Sequence, residues 1–245
     1  MSFEFIPFLF IVFVVYVSAE YARLRWHNST GRALAECAVP FQALHENPKH
    51  RILVIGESTA VGTGAERIED TIAGRISRAY PHTRVENLGK NGMRTAHLLE
   101  RLRMLPQELA YDLMILNIGG NDAVFLSPLD DVAKDIAKVL DEAKHRAREV
   151  VLWTGGNAAT IPAIPLILRY YYRRRSLRVR EDFRRAAQQA GAIYIDLFRE
   201  RKQDPVKKEP RRYVAKDWFH PSGAGYGLWF DELQKTLKEH GIGLA

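Results

Sequence analysis

Cysteine is almost missing from this sequence: Cys37 is the only one in 245 residues. An intrachain disulfide is therefore excluded, and so is a zinc site built on paired CxxC ligands. Eight histidines are present, but none falls in an H-E-x-x-H or similar spacing, so no metal is expected. The stretch "VIGESTAVGTG", residues 54–64, is rich in glycine yet lacks what a phosphate loop needs. Counted from Gly56, a Walker loop would place glycine at position 61, where Val61 stands, and no lysine follows. After Gly62 and Gly64 the third glycine of a dinucleotide fingerprint is replaced by Arg67. Internal repeats and low-complexity tracts are absent too. Acidic residues are in deficit, 29 against 36 basic ones, for a net charge of +7. That imbalance favours anionic partners, among which lipid headgroups and nucleic acid both qualify.

What is present is an ordinary globular balance, 47% hydrophobic and 27% charged, enough for one sizeable core. The exception is the N-terminus. "FIPFLFIVFVVYVSA", residues 5–19, carries no charge and lies between Glu4 and Glu20. As a helix it covers about 22 Å, short of a ~30 Å hydrocarbon core. Tyr21, Ala22 and Leu24 can extend it, with Arg23, Arg25 and Trp26 at the interface. A retained membrane anchor over residues 1–25 is the favoured reading. A cleaved signal peptide competes, since Val17-Ser18-Ala19 resembles a cleavage site, but the segment before the apolar run has no Lys or Arg. A buried core helix is the third reading. Residues 26–50 read as a juxtamembrane connector with one short helix, and residues 51–245 as the folded domain.

Within that domain apolar strands alternate with amphipathic helices. "RILVIG" (51–56), "TRVENLG" (83–89), "YDLMILNIGG" (111–120), "EVVLWTG" (149–155) and "AIYIDLF" (192–198) read as strands. Helices are expected near 66–80, 94–105, 129–148, 176–190 and 222–240. Five strands alternating with helices mean βαβ units and a parallel sheet covered on both faces. Functional residues then gather at the carboxyl ends of the strands, which selects residues 56–58, 89–92 and 119–122.

A serine hydroxyl becomes a useful nucleophile only when a base takes its proton and a third group orients that base. Ser58 sits in the first of these turns. "DWFHPSGAGYGLW" supplies Asp217 and His220, three residues apart before the last helix. That spacing lets the carboxylate reach the imidazole nitrogen turned away from the serine. Donors for an oxyanion are the Gly89 amide, the Asn121 side-chain NH₂ and the amide of Ser58 itself. The sequence is not a G-x-S-x-G elbow, because position 60 is Ala.

"GESTAVG", "NLGKNG", "GGND" and "DWFHPSGAGY", in this order, resemble the four sequence blocks of the SGNH (GDSL-type) lipase and esterase superfamily. The resemblance covers residues 51–240. It implies Ser58 as nucleophile, His220 as base, Asp217 as its partner, and Ser58, Gly89 and Asn121 as the oxyanion hole. It also implies a flavodoxin-like α/β/α fold with strand order 2-1-3-4-5 and no cofactor. Two positions depart from the family name: Glu57 replaces Asp, and Thr59 replaces Leu.

The remaining candidates are weighed against plainer roles. Asp122 is expected to hold the loop that aims Asn121, and His97 to be a packing or surface residue. Trp153 walls either the pocket or the core. "IPAIPLILRYYYRRRSLRVR" passes from apolar to aromatic to basic. It is either a loop entering a solvated helix or a lid over 161–180, with Ile164 and Leu166 toward an acyl chain and arginines toward lipid phosphates. Interleaved Arg and Tyr also suit nucleic acid, but no nucleic-acid-binding fold accompanies them, and no such partner is expected. The expected activity is carboxylic ester hydrolysis through an acyl-serine. Thioesterase, lysophospholipase and carbohydrate deacetylase use the same machinery, and a non-catalytic lipid-binding module is the competing class. Arg23, Arg25, Arg32, Lys49 and Arg51 follow the apolar run, which by the positive-inside rule favours a cytoplasmic domain over an external one.

Overall fold

The computed structural model describes residues 5–105 and 111–244. Glu4, the residue flanking the apolar run, lies outside the described residues. One helix, α1 (Phe5–Cys37), precedes the sheet. Then follow β1 (His50–Gly56), the single-turn α2 (Ser58–Val61), α3 (Ile72–Ala79), β2 (Thr83–Asn87), α4 (Thr95–Arg103) and β3 (Tyr111–Asn117). The second half comprises α5 (Gly120–Val124), α6 (Leu129–Lys144), β4 (Ala147–Trp153), α7 (Arg169–Ala190) and β5 (Ile193–Ile195). Two single turns, α8 (Pro205–Lys208) and α9 (Pro210–Tyr213), lead into α10 (Gly223–Glu239).

The five strands are all parallel, in the order β2-β1-β3-β4-β5. Alternation along each strand divides the core between two faces. Leu53, Ile55, Met114 and Leu116 pack beneath α4, α6 and α7 with Leu98, Ile136, Leu140 and Phe183. Ile52, Val54, Leu113 and Ile115 pack on the other side with Ile72 and Ile76 of α3 and Phe230, Leu233 and Leu237 of α10. In the central strands both faces are dry because Ile52–Ile55, Leu113–Leu116 and Val150–Trp153 are apolar at consecutive positions, whereas the edge strand β2 alternates, with Val85 between Arg84 and Glu86.

The N-terminal region differs from the expectation of an anchor followed by a mixed connector. α1 is unbroken from Phe5 to Cys37, and at 1.5 Å per residue it is about 50 Å long. Phe8, Leu9, Phe10, Ile11 and Phe13 are all about three-fifths exposed, so this is no core helix. It passes the length and hydropathy test for a membrane span, which both an anchor and a signal sequence also meet. The lid region differs as well. The extended part of 161–180 ends at the exposed turn Leu166–Leu168, and α7 begins at Arg169, two turns before the predicted helix.

Candidate active site

Ser58 opens α2 directly after β1, where the chain reverses from the end of the sheet into a helix. Its carbonyl accepts from the Gly62 and Thr63 amides, both at 3.0 Å, which closes the turn. Gly64 then brings the chain against the histidine loop: with φ at 98°, a Cβ there would stand 2.9 Å from the His220 Cβ. Only glycine tolerates both the left-handed backbone and the close approach.

The histidine loop is built by Asp217. Its Oδ1 accepts from the amides of Phe219 and His220, each at 3.0 Å, and its Oδ2 stands 2.6 Å from His220 Nδ1. Between them Trp218 adopts a left-handed φ of 58°, a strained choice for a large side chain. Trp218 is held there by its amide, which donates a hydrogen bond to the Ala215 carbonyl, and by the Ala163 amide, which donates to its carbonyl. His220 Nε2 is 3.0 Å from Ser58 Oγ. With Nδ1 donating to the carboxylate, Nε2 is left to accept the serine proton. Burial works against ionisation of Asp217, but the hydrogen bonds from His220 and the two amides outweigh it. They hold the carboxyl below the usual carboxylate range. The structure thus brings Ser58, Asp217 and His220 into one hydrogen-bonded chain across 162 residues of sequence.

Glu57, the departure from the family name, has a defined place. It is buried, and its two oxygens accept from the amides of Gly120 (3.2 Å) and Asn121 (2.8 Å) at the start of α5. These are amides that a helix start leaves without internal partners. Burial pushes the Glu57 carboxyl up to about 8, against the Asn121 hydrogen bond and with the Asp122 charge adding to the rise. Asn121 Nδ2 donates to the Met93 carbonyl at 3.0 Å, which leaves its second hydrogen uncommitted to that bond. Asp122 accepts from the Thr95 amide (3.0 Å) and hydroxyl (2.7 Å), tying α5 to α4. His97 is exposed on α4, where its ring accepts from the Arg94 amide at 3.3 Å.

Gly89 does not present a free donor. Its amide donates to Asn87 Oδ1 at 2.9 Å, and a Cβ there would stand 2.7 Å from the Val61 nitrogen. Its smallness serves the approach of this turn to α2. Further along the turn, Lys90 donates to the Gly56 carbonyl and Met93 to the Lys90 carbonyl. Gly92, with φ at 74°, has an amide that donates no hydrogen bond among the described residues. Both glycines stand in "NLGKNG", and nothing in a linear motif tells which amide is already taken.

A cavity of about 350 Å³ opens beside Ser58 and His220, lined among others by Asn121, Ala158, Ile161, Leu197, Phe219 and Trp229. The three expected substrate-binding residues lie elsewhere. Trp153 is fully buried in the core beside Ile195 and Tyr226, because its strand position faces α10. Ile164 is buried away from the cavity, and Leu166 is 67% exposed on the outer surface. Beside the motif residues, its lining comes from the turns after β4 and β5 and from Leu228, Trp229 and Glu232 of α10, none of which belongs to a motif block. Among the described residues, no group of three or more His, Cys, Asp or Glu could hold a metal.

Solved esterase structures share this architecture at low identity. The psychrotrophic esterase EstA of Pseudoalteromonas sp. superposes with a TM-score of 0.61 at 16% identity, covering 80% of this chain and 100% of that one. The extracellular lipase of Streptomyces rimosus gives 0.56 at 18% identity, covering 76% and 99%. In sequence, the chain is 24% identical over 198 residues to a GDSL-like esterase of Mycobacterium tuberculosis, 77% of this chain and 62% of that relative's length. The family model of the GDSL-like lipases and acylhydrolases matches residues 54–228, from the end of β1 into α10. By that match, which spans all four motif blocks and most of the sheet, the chain belongs to the GDSL-like lipase/acylhydrolase family.

Proposed function

We propose that this protein is a carboxylic ester hydrolase working through an acyl-serine intermediate. The observation that carries the reading is the chain of contacts from Asp217 to His220 (2.6 Å) to Ser58 (3.0 Å) at the edge of a cavity. Ser58 Oγ attacks the ester carbonyl carbon while His220 Nε2 takes its proton, and Asp217 stabilises the imidazolium through Nδ1. The carbonyl oxygen, now an anion, is held by the Ser58 amide, the free hydrogen on Asn121 Nδ2 and, in place of Gly89, the uncommitted amide of Gly92. Collapse breaks the bond to the alcohol, which leaves with the proton from His220. Water then attacks the acyl-serine, giving its proton to His220, and the carboxylic acid departs as Ser58 regains a proton. All of this needs only side chains and amides of this chain.

α1 is read as a membrane anchor, supported by the exposure of its apolar half. The substrate class is an acyl ester, and the apolar share of the cavity lining suits its acyl part. Fluorophosphonate labelling tests the reading against a non-catalytic lipid-binding module on the same fold. The expected result is stoichiometric modification of Ser58, abolished in Ser58→Ala. An unmodified serine in folded protein refutes hydrolysis.

A further inference from the structure

α1 carries two different surfaces. Residues 8–17 are exposed on every side, whereas from residue 20 onward the partly buried positions are 20, 23, 27, 30, 31, 34 and 35. Steps of three and four place these on one face, so this half of the helix is docked along its length. The docked face meets three loops that carry the site. Arg23 donates to the carbonyls of Pro162 (3.1 Å) and Ala163 (3.4 Å), and the Ala163 amide in turn holds Trp218. Asn91, beside Gly92, donates to the Ala35 carbonyl at 2.9 Å. Between these contacts, Gly31 faces the acid itself: a Cβ at Gly31 would stand 3.1 Å from Asp217 Oδ2, the oxygen bonded to His220 Nδ1.

We propose that α1 is a positioning element of the active site, with Gly31 setting the space in which Asp217 holds His220. Glycine is a poor choice for a helix interior, where alanine is favoured by both backbone entropy and propensity. Here any side chain presses on a carboxylate that has no slack. Asp217 is 1% exposed, and its other oxygen is fixed by two amides. A methyl at position 31 moves Oδ2 by a few tenths of an ångström, away from the imidazole or off its axis. The helix thus sacrifices stability at the point where it faces the carboxylate. Asp217 never contacts substrate through α1, so Gly31 acts on the reaction only through the acid and its histidine.

The inference rests on the assignment of Asp217 as the partner of His220, and the test separates the two. Full-length Gly31→Ala, Asp217→Asn and the double variant are compared in detergent with a short p-nitrophenyl ester. Gly31→Ala is expected to keep or raise Tm, to leave KM within about twofold, and to lower kcat at least fivefold. In the Asp217→Asn background the same substitution should cost nothing further, because the group that it displaces no longer works. Ala33→Gly, on the exposed face, weakens the helix without reaching the acid and should leave kcat unchanged. An unchanged kcat in Gly31→Ala, or a loss that persists undiminished in the double variant, overturns the inference while leaving the triad in place. A small loss in Asp217→Asn alone overturns the triad reading beneath it.

Discussion

At the scale of single residues, the two aspartates near the site separate by what they touch. The Asp217 carboxylate meets His220, whereas the Asp122 carboxylate accepts from Thr95 and lies on α5. Asp217→Asn should therefore cost far more kcat than Asp122→Asn at matched folded fraction, and steady-state kinetics of the two variants check it. Ser58→Ala is expected to lower kcat by about 10⁴ or more without altering Tm, as for loss of a nucleophile in a triad. Glu57 yields a pH prediction. Its carboxyl is raised from 4.5 to about 8 in the fold, so the folded state binds this proton more tightly than the unfolded chain does. The stability that it lends is fully present below about pH 4.5 and is lost as pH rises toward about 8. Glu57→Gln, which has no proton to lose, should flatten that stretch of the Tm-against-pH curve, as thermal melts from pH 5 to 9 would reveal. The longer side chain at position 57 is intelligible too: it spans from the nucleophile's turn to the first amides of α5.

Among the elements, the segment after β4 changes character once its partners are known. Arg175 donates to the carbonyls of Asp122, Ala123 and Ser127, closing the carboxyl end of α5. Arg173 pairs with Glu200, Arg178 with Asp130 and Asp182, and Arg180 with Asp196. Most of the basic run is therefore internal bracing, with Arg174 stacked only on Tyr170. Leu166, Ile167 and Tyr170 are exposed, a few residues after the Pro162 carbonyl that accepts from Arg23. Cutting these three back to Ala should leave the chain-length preference on dispersed p-nitrophenyl esters unchanged, since none lines the cavity. The same variant should lose activity on esters embedded in vesicles, where apolar side chains stabilise contact by about 25 cal/mol per Å² buried. A chain-length series run in both formats distinguishes the two effects. Filling the cavity at Leu197 with Trp should instead shorten the longest acyl chain accepted in either format.

For the whole molecule, α1 runs unbroken from its apolar half to the site, and Gly31 lies eleven residues, about 17 Å along the helix, beyond Glu20. If residues 5–19 sit in a bilayer, that spacing carries the acid just outside the headgroups. Cys37, the single cysteine, is exposed at the end of α1 and reports sidedness without any mutation. With Arg23, Arg25, Arg32, Lys49 and Arg51 after the apolar run, the expected side is the cytoplasmic one. A membrane-impermeant maleimide applied to intact cells with an opened outer barrier should then leave Cys37 unlabelled until the inner membrane is broken. Labelling before that point places the domain outside.

The sheet was legible from the chain alone because its central strands are apolar at consecutive positions and its helices at every third or fourth, and these periods do not depend on distant partners. The same holds for Ser58, Asp217 and His220, whose motifs lie within a few residues of the turns that present them. What a linear reading could not decide was which groups are already occupied. Gly89 and Gly92 share one motif, but only Gly89 has its amide claimed by Asn87 and its Cα pressed against α2, while Gly92 is open with a left-handed φ. Trp153 and Leu166 have the composition of a pocket, but one is turned into the core and the other onto the surface. The place of Gly31 against Asp217 joins residues 186 positions apart, a proximity set by how α1 docks on the loops at the sheet's carboxyl edge. Local chemistry and periodicity are written in the chain. Occupancy, orientation and long-range contact arise only when the packed elements compete for the same space and the same hydrogen bonds.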